Sequence, residues 1–294
     1  MVQIQKSFQN DGAKLYVVPT PIGNLDDMTI RAVNILKEVD VIACEDTRQT
    51  SKLINHFNIE ASLISYHEHN KFERENQLLD LLKQGKSIAL VSDAGMPIIS
   101  DPGAELVRRV REEGFDVIVL PGANAALTAL VGSGLAGGSF TFYGFLPRKK
   151  SEIIQVLKAL SEQEHTLIFY ESPHRVKKTL QTMQEVYASD RKVVLARELT
   201  KKFEEYITGT IDELMVLIES EQLELRGEFV IVVEGRKEFE NSLSTWWEQL
   251  SINEHIEHYI REENITSKEA IKRVANERKL PKREVYQKYH QNEN

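Results

Sequence analysis

One cysteine, Cys44, two tryptophans and no long apolar run mark what this 294-residue sequence has least of. A single thiol excludes a disulfide framework and any cysteine-rich metal site, and it fits a reducing compartment such as the cytoplasm. No window is long and apolar enough for a membrane span, and residues 1–14 lack the apolar core of a secretory leader, so neither insertion nor export is expected. Positive charge is in deficit too: Lys and Arg number 37 against 45 Asp and Glu, a formal charge of −8. That balance argues against a surface coated in non-specific nucleic-acid contacts, although residues 148–150, 175–178 and 279–283 are locally basic. Repeats and low-complexity tracts are missing as well.

What remains is ordinary for a folded chain of two domains, with 41% hydrophobic and 28% charged residues. Short apolar runs at 15–18, 41–44, 62–66, 87–91 and 116–120 alternate with helical spacing at 29–38, 47–56, 71–84 and 103–113. Such alternation predicts a doubly wound parallel sheet. In the second half, 140–145, 165–170, 192–198, 204–210 and 229–234 read as strands, and 151–160, 173–187 and 211–219 as helices. Residues 198–204 are too few for a helical crossover, so the strands they join are expected to pair antiparallel in a mixed sheet. Beyond Gly235 the chain turns polar and then helical, at 256–260, 267–274 and 282–286, with a turn at 279–281. The expected divisions are an α/β domain at 14–122, a second at 123–236 and a helical segment at 237–294.

The stretch from Ser92 to Gly103 follows a strand and precedes a helix, yet it is about ten residues long where such loops usually need two to six. In an open α/β sheet, ligands lie in the crevice outside the carboxyl ends of the strands. Gly95 clears room for close approach, and Asp101 as cap with Pro102 at the first helical position predicts where the helix starts. The loops at 19–24 and 121–125 are expected to open on the same edge, which points to one shared ligand crevice. In the second half, Ser172 and Pro173 predict a helix start whose free N–H groups, beside Arg175, suit an anion such as phosphate. Tyr170 and Phe145 stand nearby, either for base stacking or for core packing.

Other motifs carry less. The G-x-G-x-x-G at 132–137 follows a helical segment and precedes a strand, the reverse of a phosphate-binding turn, and reads as an interdomain link. Cys44 shows no partner His and reads as buried. His67 and His69 lack a third ligand, so no metal site is expected.

Taken together, residues 18–25, 43–48, 92–103, 121–125, 144–150, 169–175 and 196–205 resemble the bacterial small-subunit ribosomal RNA 2′-O-methyltransferase I family of the tetrapyrrole methylase superfamily. Seven motifs in order make the resemblance specific, and it runs from about Leu15 to Gly235, with the tail also similar. It implies two α/β domains with S-adenosylmethionine in the cleft between them, usually in a homodimer, acting on a cytidine ribose in the decoding region of 16S ribosomal RNA. Matched position by position, Pro21, Ile22, Asp93, Ala94, Gly95, Ile98, Asn124, Ala125, Tyr170 (or Glu171 beside it) and Thr200 are the implied cofactor contacts. Pro-Ile-Gly-Asn at 21–24, in place of a Gly-rich loop, together with the basic run at 148–150, favours RNA over a tetrapyrrole.

A ribose hydroxyl is a poor nucleophile, so some group is expected to take its proton. The sequence offers Glu171 or Glu204. Lys150 and Arg197 are expected to stabilise the developing alkoxide, and Arg148, Lys149, Arg175, Lys201 and Lys202 to grip RNA phosphates. The rival readings are a methylase of an acidic tetrapyrrole and a ligand-sensing DNA-binding regulator. The second rests on a helix-turn-helix at 267–289, where Glu269, Glu277 and Glu284 dilute the basic residues.

Overall fold

The computed structural model describes residues 4–7, 9–236, 247, 250–263, 265–278 and 280–290. Residues up to 236 make one compact unit and those from 237 another.

The first unit opens with β1 (Lys14–Val17), α1 (Ile30–Glu38), β2 (Val41–Cys44), α2 (Thr47–His56), β3 (Ser62–Ser65), α3 (Lys71–Lys83), β4 (Ile88–Val91), α4 (Ala104–Glu112) and β5 (Asp116–Val119). The five strands form one sheet in the order β3-β2-β4-β1-β5, all parallel, as the alternation predicted. Alternate residues along each strand face opposite layers. Leu15, Ile88, Leu90 and Val117 pack under α3 and α4, against Leu78, Leu79, Leu82, Leu106 and Val110. Val18, Ala89, Val91 and Ile118 pack under α1 and α2, against Ala32, Leu36 and Ile54. Each such Leu, Ile or Val side chain stabilises the fold by about 1.5–3 kcal/mol relative to exposure. Cys44 is fully buried in the second of these layers, as read from sequence.

The chain then forms α5 (Ala125–Gly132), β6 (Phe140–Phe145), α6 (Lys150–Ser161), β7 (Thr166–Glu171), α7 (Pro173–Gln184), β8 (Lys192–Arg197), β9 (Glu205–Thr210), α8 (Ile211–Glu219) and β10 (Phe229–Val233). The second sheet runs β6-β7-β10-β8-β9. Only β6 and β7 pair parallel, and β8 with β9 is the antiparallel pair that the short connection demanded. One face of this sheet is sealed by α6, α7 and α8 through Leu157, Leu180 and Leu214. The other is covered by Ala126, Ala129 and Leu130 of α5 and by Ile22 from the first domain. A Cβ at Gly132 would lie 2.3 Å from the Tyr206 ring, so the glycine sets how closely α5 approaches β9.

Two local expectations fail. Helix α4 begins at Ala104, with Gly103 at the cap position and no side-chain cap, so Asp101 and Pro102 lie upstream in the loop. Gly103 has φ +133°, and a Cβ there would meet Leu90 at 2.8 Å. Pro173 does open α7, but the Ser172 side chain makes no capping bond.

The second unit contains α9 (Ile252–Glu262), α10 (Ser267–Glu277) and α11 (Lys282–His290), around Ile256, Tyr259, Ile271, Val274 and Val285. Ser251 with Glu254 and Thr266 with Glu269 form capping boxes that start α9 and α10. Lys279, in the expected turn, lies outside the described residues. Among the described residues, no helix is long and apolar enough to cross a membrane.

Candidate active site

The three loops at the carboxyl ends of β1, β4 and β5 do share one edge, and they are tied together there. Thr20 and Gly95 exchange two backbone hydrogen bonds of 2.9 Å, and the Thr20 hydroxyl donates to the Ser92 carbonyl at 3.0 Å. Gly122 lies so close to Pro19 that a Cβ would meet its ring at 2.7 Å. The β4 loop reaches this position through left-handed backbone at Gly95, Ile98 and Ser100, with φ of +80°, +78° and +71°. A β-branched residue such as Ile98 adopts that region only under strain, which the packing around it must hold.

Where this edge faces the second sheet lies a cavity of about 400 Å³. Its walls come from Ile22 on the β1 loop, Asp93 to Met96 and Ile99 to Asp101 on the β4 loop, Asn124 and Ala125 at the start of α5, Phe145, Tyr170 to Pro173, and Glu228 to Val230. The volume suits a ligand of nucleoside size. Asn124 has a second task, since its side chain accepts the Leu127 N–H and caps α5. Tyr170 accepts the Ala126 N–H at 3.2 Å, and Phe145, 56% exposed, meets its ring edge to face at 5.6 Å. Phe145 is therefore a wall residue and not core.

Of the ten implied cofactor residues, Ile22, Asp93, Ala94, Gly95, Asn124, Ala125 and Tyr170 line this one cavity. Pro21 lines a neighbouring pocket that shares Asp93 with it. Ile98 turns its side chain toward Gly103 and the α3–α4 layer. Thr200 is not part of the wall; its buried hydroxyl has no hydrogen-bond partner, and its N–H donates to Glu204 at 2.6 Å.

The charged candidates sort differently from their sequence reading. Glu171 lines the cavity, but its buried carboxylate accepts from the Thr179 hydroxyl at 2.7 Å and the Ser172 N–H at 2.9 Å, with the Arg175 Nε at 3.3 Å. The anion site expected at the start of α7 is thus filled by the chain's own carboxylate. Arg175 also donates to the Leu146 and Pro147 carbonyls, and Arg197, 6% exposed, to the Arg226 carbonyl, Glu205 and Glu224. Lys201 bridges Glu198 and Glu228, and its stem fills the space beside Gly23. Lys149 and Lys150 pair at the surface with Glu152 and Glu185. Arg148 and Lys202 are exposed, and Lys202 lies over the Phe203 ring. None of these seven cations lines the cavity.

Its charge is acidic instead. Burial, then Glu45 and Asp93, push the Asp101 carboxyl up to about 6, against an opposing hydrogen bond from Ser92. Burial, then Asp93, raises Glu45 as well. Sequence reasoning missed Asp101 because an Asp-Pro pair before a helix has the form of a cap. It also missed Phe229 and Val230, which read as interior strand.

The family described as Tetrapyrrole (Corrin/Porphyrin) Methylases matches residues 14–215. A Bacillus subtilis protein named ribosomal RNA small subunit methyltransferase I is 54% identical over 293 residues, covering 99% of both chains. The chain belongs to the ribosomal RNA small subunit methyltransferase I family. Its namesake from Halalkalibacterium halodurans is 52% identical over 99% of this chain and 100% of its own, and that from Escherichia coli O157:H7 is 47% identical over 81% and 83%. Solved structures show how far the fold reaches beyond this methyltransferase I family. Diphthine synthase matches with a TM-score of 0.59 at 12% identity, over 76% of this chain and 90% of its own. Uroporphyrin-III C-methyltransferase from Thermus thermophilus, solved in complex with S-adenosylhomocysteine, matches with a TM-score of 0.53 at 16% identity, over 76% and 97%.

Proposed function

We propose that this chain transfers a methyl group from S-adenosylmethionine to a ribose 2′-hydroxyl, that of a cytidine in the decoding region of 16S ribosomal RNA. The reading is supported above all by 54% identity, over nearly the full length, to a protein named for methylating small-subunit ribosomal RNA. The cavity supplies the chemistry. S-adenosylmethionine carries a sulfonium and an ammonium beside a flat adenine. Asp93, with Glu45 behind it, suits the positive groups, and Ile22, Ile99, Phe145 and Val230 suit the adenosine. Gly95 keeps the floor open, since a Cβ there would come within 3.2 Å of Ile22 and 3.8 Å of the Ala123 carbonyl. When bound, the cofactor supplies an electrophilic methyl carbon.

The protein's own residues position the hydroxyl and receive its proton. The Glu171 carboxylate is already engaged by three donors, the Ser172 N–H, the Thr179 hydroxyl and Arg175, and is not turned to a ribose hydroxyl. Glu204 is exposed and outside the cavity wall. Asp101 combines a place in the wall with a carboxyl poised near neutrality, ionised at pH 7 yet basic enough to take a proton. It replaces both glutamates as the acceptor in this reading. RNA phosphates then fall to Arg148 and Lys202, and to Lys149 and Lys150, whose surface ion pairs exchange at little cost. Exposed Leu127 and Val131 on α5 support a homodimer.

Labelled S-adenosylmethionine offered with either naked small-subunit particles or uroporphyrinogen tests the reading. Label is expected in the RNA; label in the tetrapyrrole, or in neither, overturns it. With RNA methylated, Asp101→Asn should lower single-turnover rates by roughly 10²–10⁴-fold, while Glu204→Ala stays near the parent rate. An undiminished rate in Asp101→Asn removes that residue from the role.

A further inference from the structure

Read as sequence, the tail's basic residues look neutralised by Glu269, Glu277 and Glu284. The structure turns all three acids to internal work. Glu269 closes the start of α10, accepting the Thr266 N–H at 3.1 Å and its hydroxyl at 2.6 Å. Glu277 accepts the Tyr259 hydroxyl at 2.9 Å and faces Arg273 at 3.3 Å and His255 at 3.1 Å. Glu284 pairs with Lys288 at 3.2 Å on the same helix. Lys268, Lys272, Lys282 and Arg283 are left exposed, with no ion-pair partner among the described residues. Charge is also segregated along the chain: residues 266–290 hold eight Lys and Arg against three Glu, whereas 251–263 hold one Arg against four Glu.

Helix α11 shows what this leaves. Val285 is buried, and Tyr289 donates to Glu257 of α9 at 2.7 Å, so these two mark the inward side. Helical spacing places Arg283, Tyr286 and Gln287 on the remaining arc, and Lys282, one turn before Tyr286, at its border; all four are exposed. Tyr286 is 54% exposed, with the His290 ring 4.4 Å away, so its ring is open to a stacking partner. Two uncommitted cations, an exposed aromatic and an amide at neighbouring positions of one helix are the set that contacts nucleic acid: charge for phosphates, a ring for a base.

We propose that the outward face of α11 binds a single-stranded segment of RNA, with Lys282 and Arg283 on phosphates and Tyr286 stacked on an unpaired base. An unpaired base favours RNA loops over duplex DNA, whose bases are already stacked on one another and offer a side chain only their edges. The acidic stretch of α9 repels phosphate, which restricts contact to the α10–α11 side. The proposal rests on RNA being the substrate.

Its test uses the full chain and filter binding to naked small-subunit RNA across a salt series. Lys282→Ala with Arg283→Ala should weaken binding by about tenfold and reduce the salt slope by about 1.4, or 0.7 for each lost phosphate contact. Tyr286→Ala should weaken binding by about tenfold without changing the slope. Lys282→Arg with Arg283→Lys should bind as the parent does, and S-adenosylmethionine titrations should match in every variant. Unchanged RNA affinity in both alanine variants, with methylation intact, overturns the docking proposal alone. Competition by duplex DNA as effective as by single-stranded RNA reassigns the face to DNA and overturns it too. Absence of RNA methylation in the parent protein strikes instead at the function on which the proposal rests.

Discussion

Asp101 titrates where few carboxylates do. Its neighbours Glu45 and Asp93 repel a second charge, and burial withholds the water that would otherwise solvate it. Between its ordinary value near 4 and about 6, the folded protein therefore holds a proton that the unfolded chain has released. Stability falls as pH rises through that window, and the ionised group remains a fixed cost above it. Asp101→Asn removes the cost: its melting temperature, relative to the parent, should be a few degrees higher at pH 8, with the difference closing toward pH 4. Thermal unfolding of both proteins at the two pH values checks this, and a constant difference would contradict it. That the same substitution is expected to slow methyl transfer is the usual trade between stability and a charged site. From sequence alone a half-buried acid in a cavity wall and a helix cap look alike here, because both are an Asp before Pro at a loop end; only the position of Gly103 separates them.

The loop from β4 to α4 is the element on which the cavity depends. It is held by the Thr20–Gly95 bridge on one side and by Ile98 tucked toward Gly103 on the other. Gly95→Ala puts an L residue at φ +80° and a methyl group 3.2 Å from Ile22. Backbone strain of about 1–2 kcal/mol should lower the melting temperature, and S-adenosylmethionine affinity measured by calorimetry should drop at least about tenfold. Gly85→Ala is the control, with φ +83° but open space around it: similar strain, no change in binding. The length and location of the loop could be read from the sequence. Its left-handed turns at Ile98 and Ser100 could not, since neither residue type favours that backbone and only tertiary packing holds it there.

At the scale of the whole chain, the two units carry separate reporters. Both tryptophans, at 246 and 247, belong to the second unit, so tryptophan emission follows that unit alone. Trp247 stacks on His255, which is fully buried and accepts from Arg278 at 3.2 Å through Nδ1. Burial, and secondarily Arg278, hold the imidazole neutral down to about 4, against the opposing pull of Glu277. Unfolded chains take up that proton from about 6.5 downward, so the unit should lose stability as pH falls from 6.5 to 4. Denaturant titrations followed by tryptophan emission at pH 7 and pH 5 should show an earlier transition at the lower pH. Equal midpoints would show that His255 is not held neutral.

Strand and helix order, the antiparallel β8–β9 pair and the seven motifs behind the family resemblance were all legible in the sequence, because hydrophobic period and connection length are local properties. The edge shared by the three loops followed from them, since parallel strands joined by helices must open their carboxyl ends on one side. What only the tertiary structure decided is which charges are free. Arg175, Arg197 and Lys201 look available as written but are bound by carbonyls and a carboxylate distant in sequence, and Glu277, which looks like a diluting charge, is taken up by Tyr259 and His255 of a neighbouring helix. Partners such as these are chosen by packing between segments far apart along the chain, which no local pattern encodes, whereas the Thr266–Glu269 capping box and the Glu284–Lys288 pair are local.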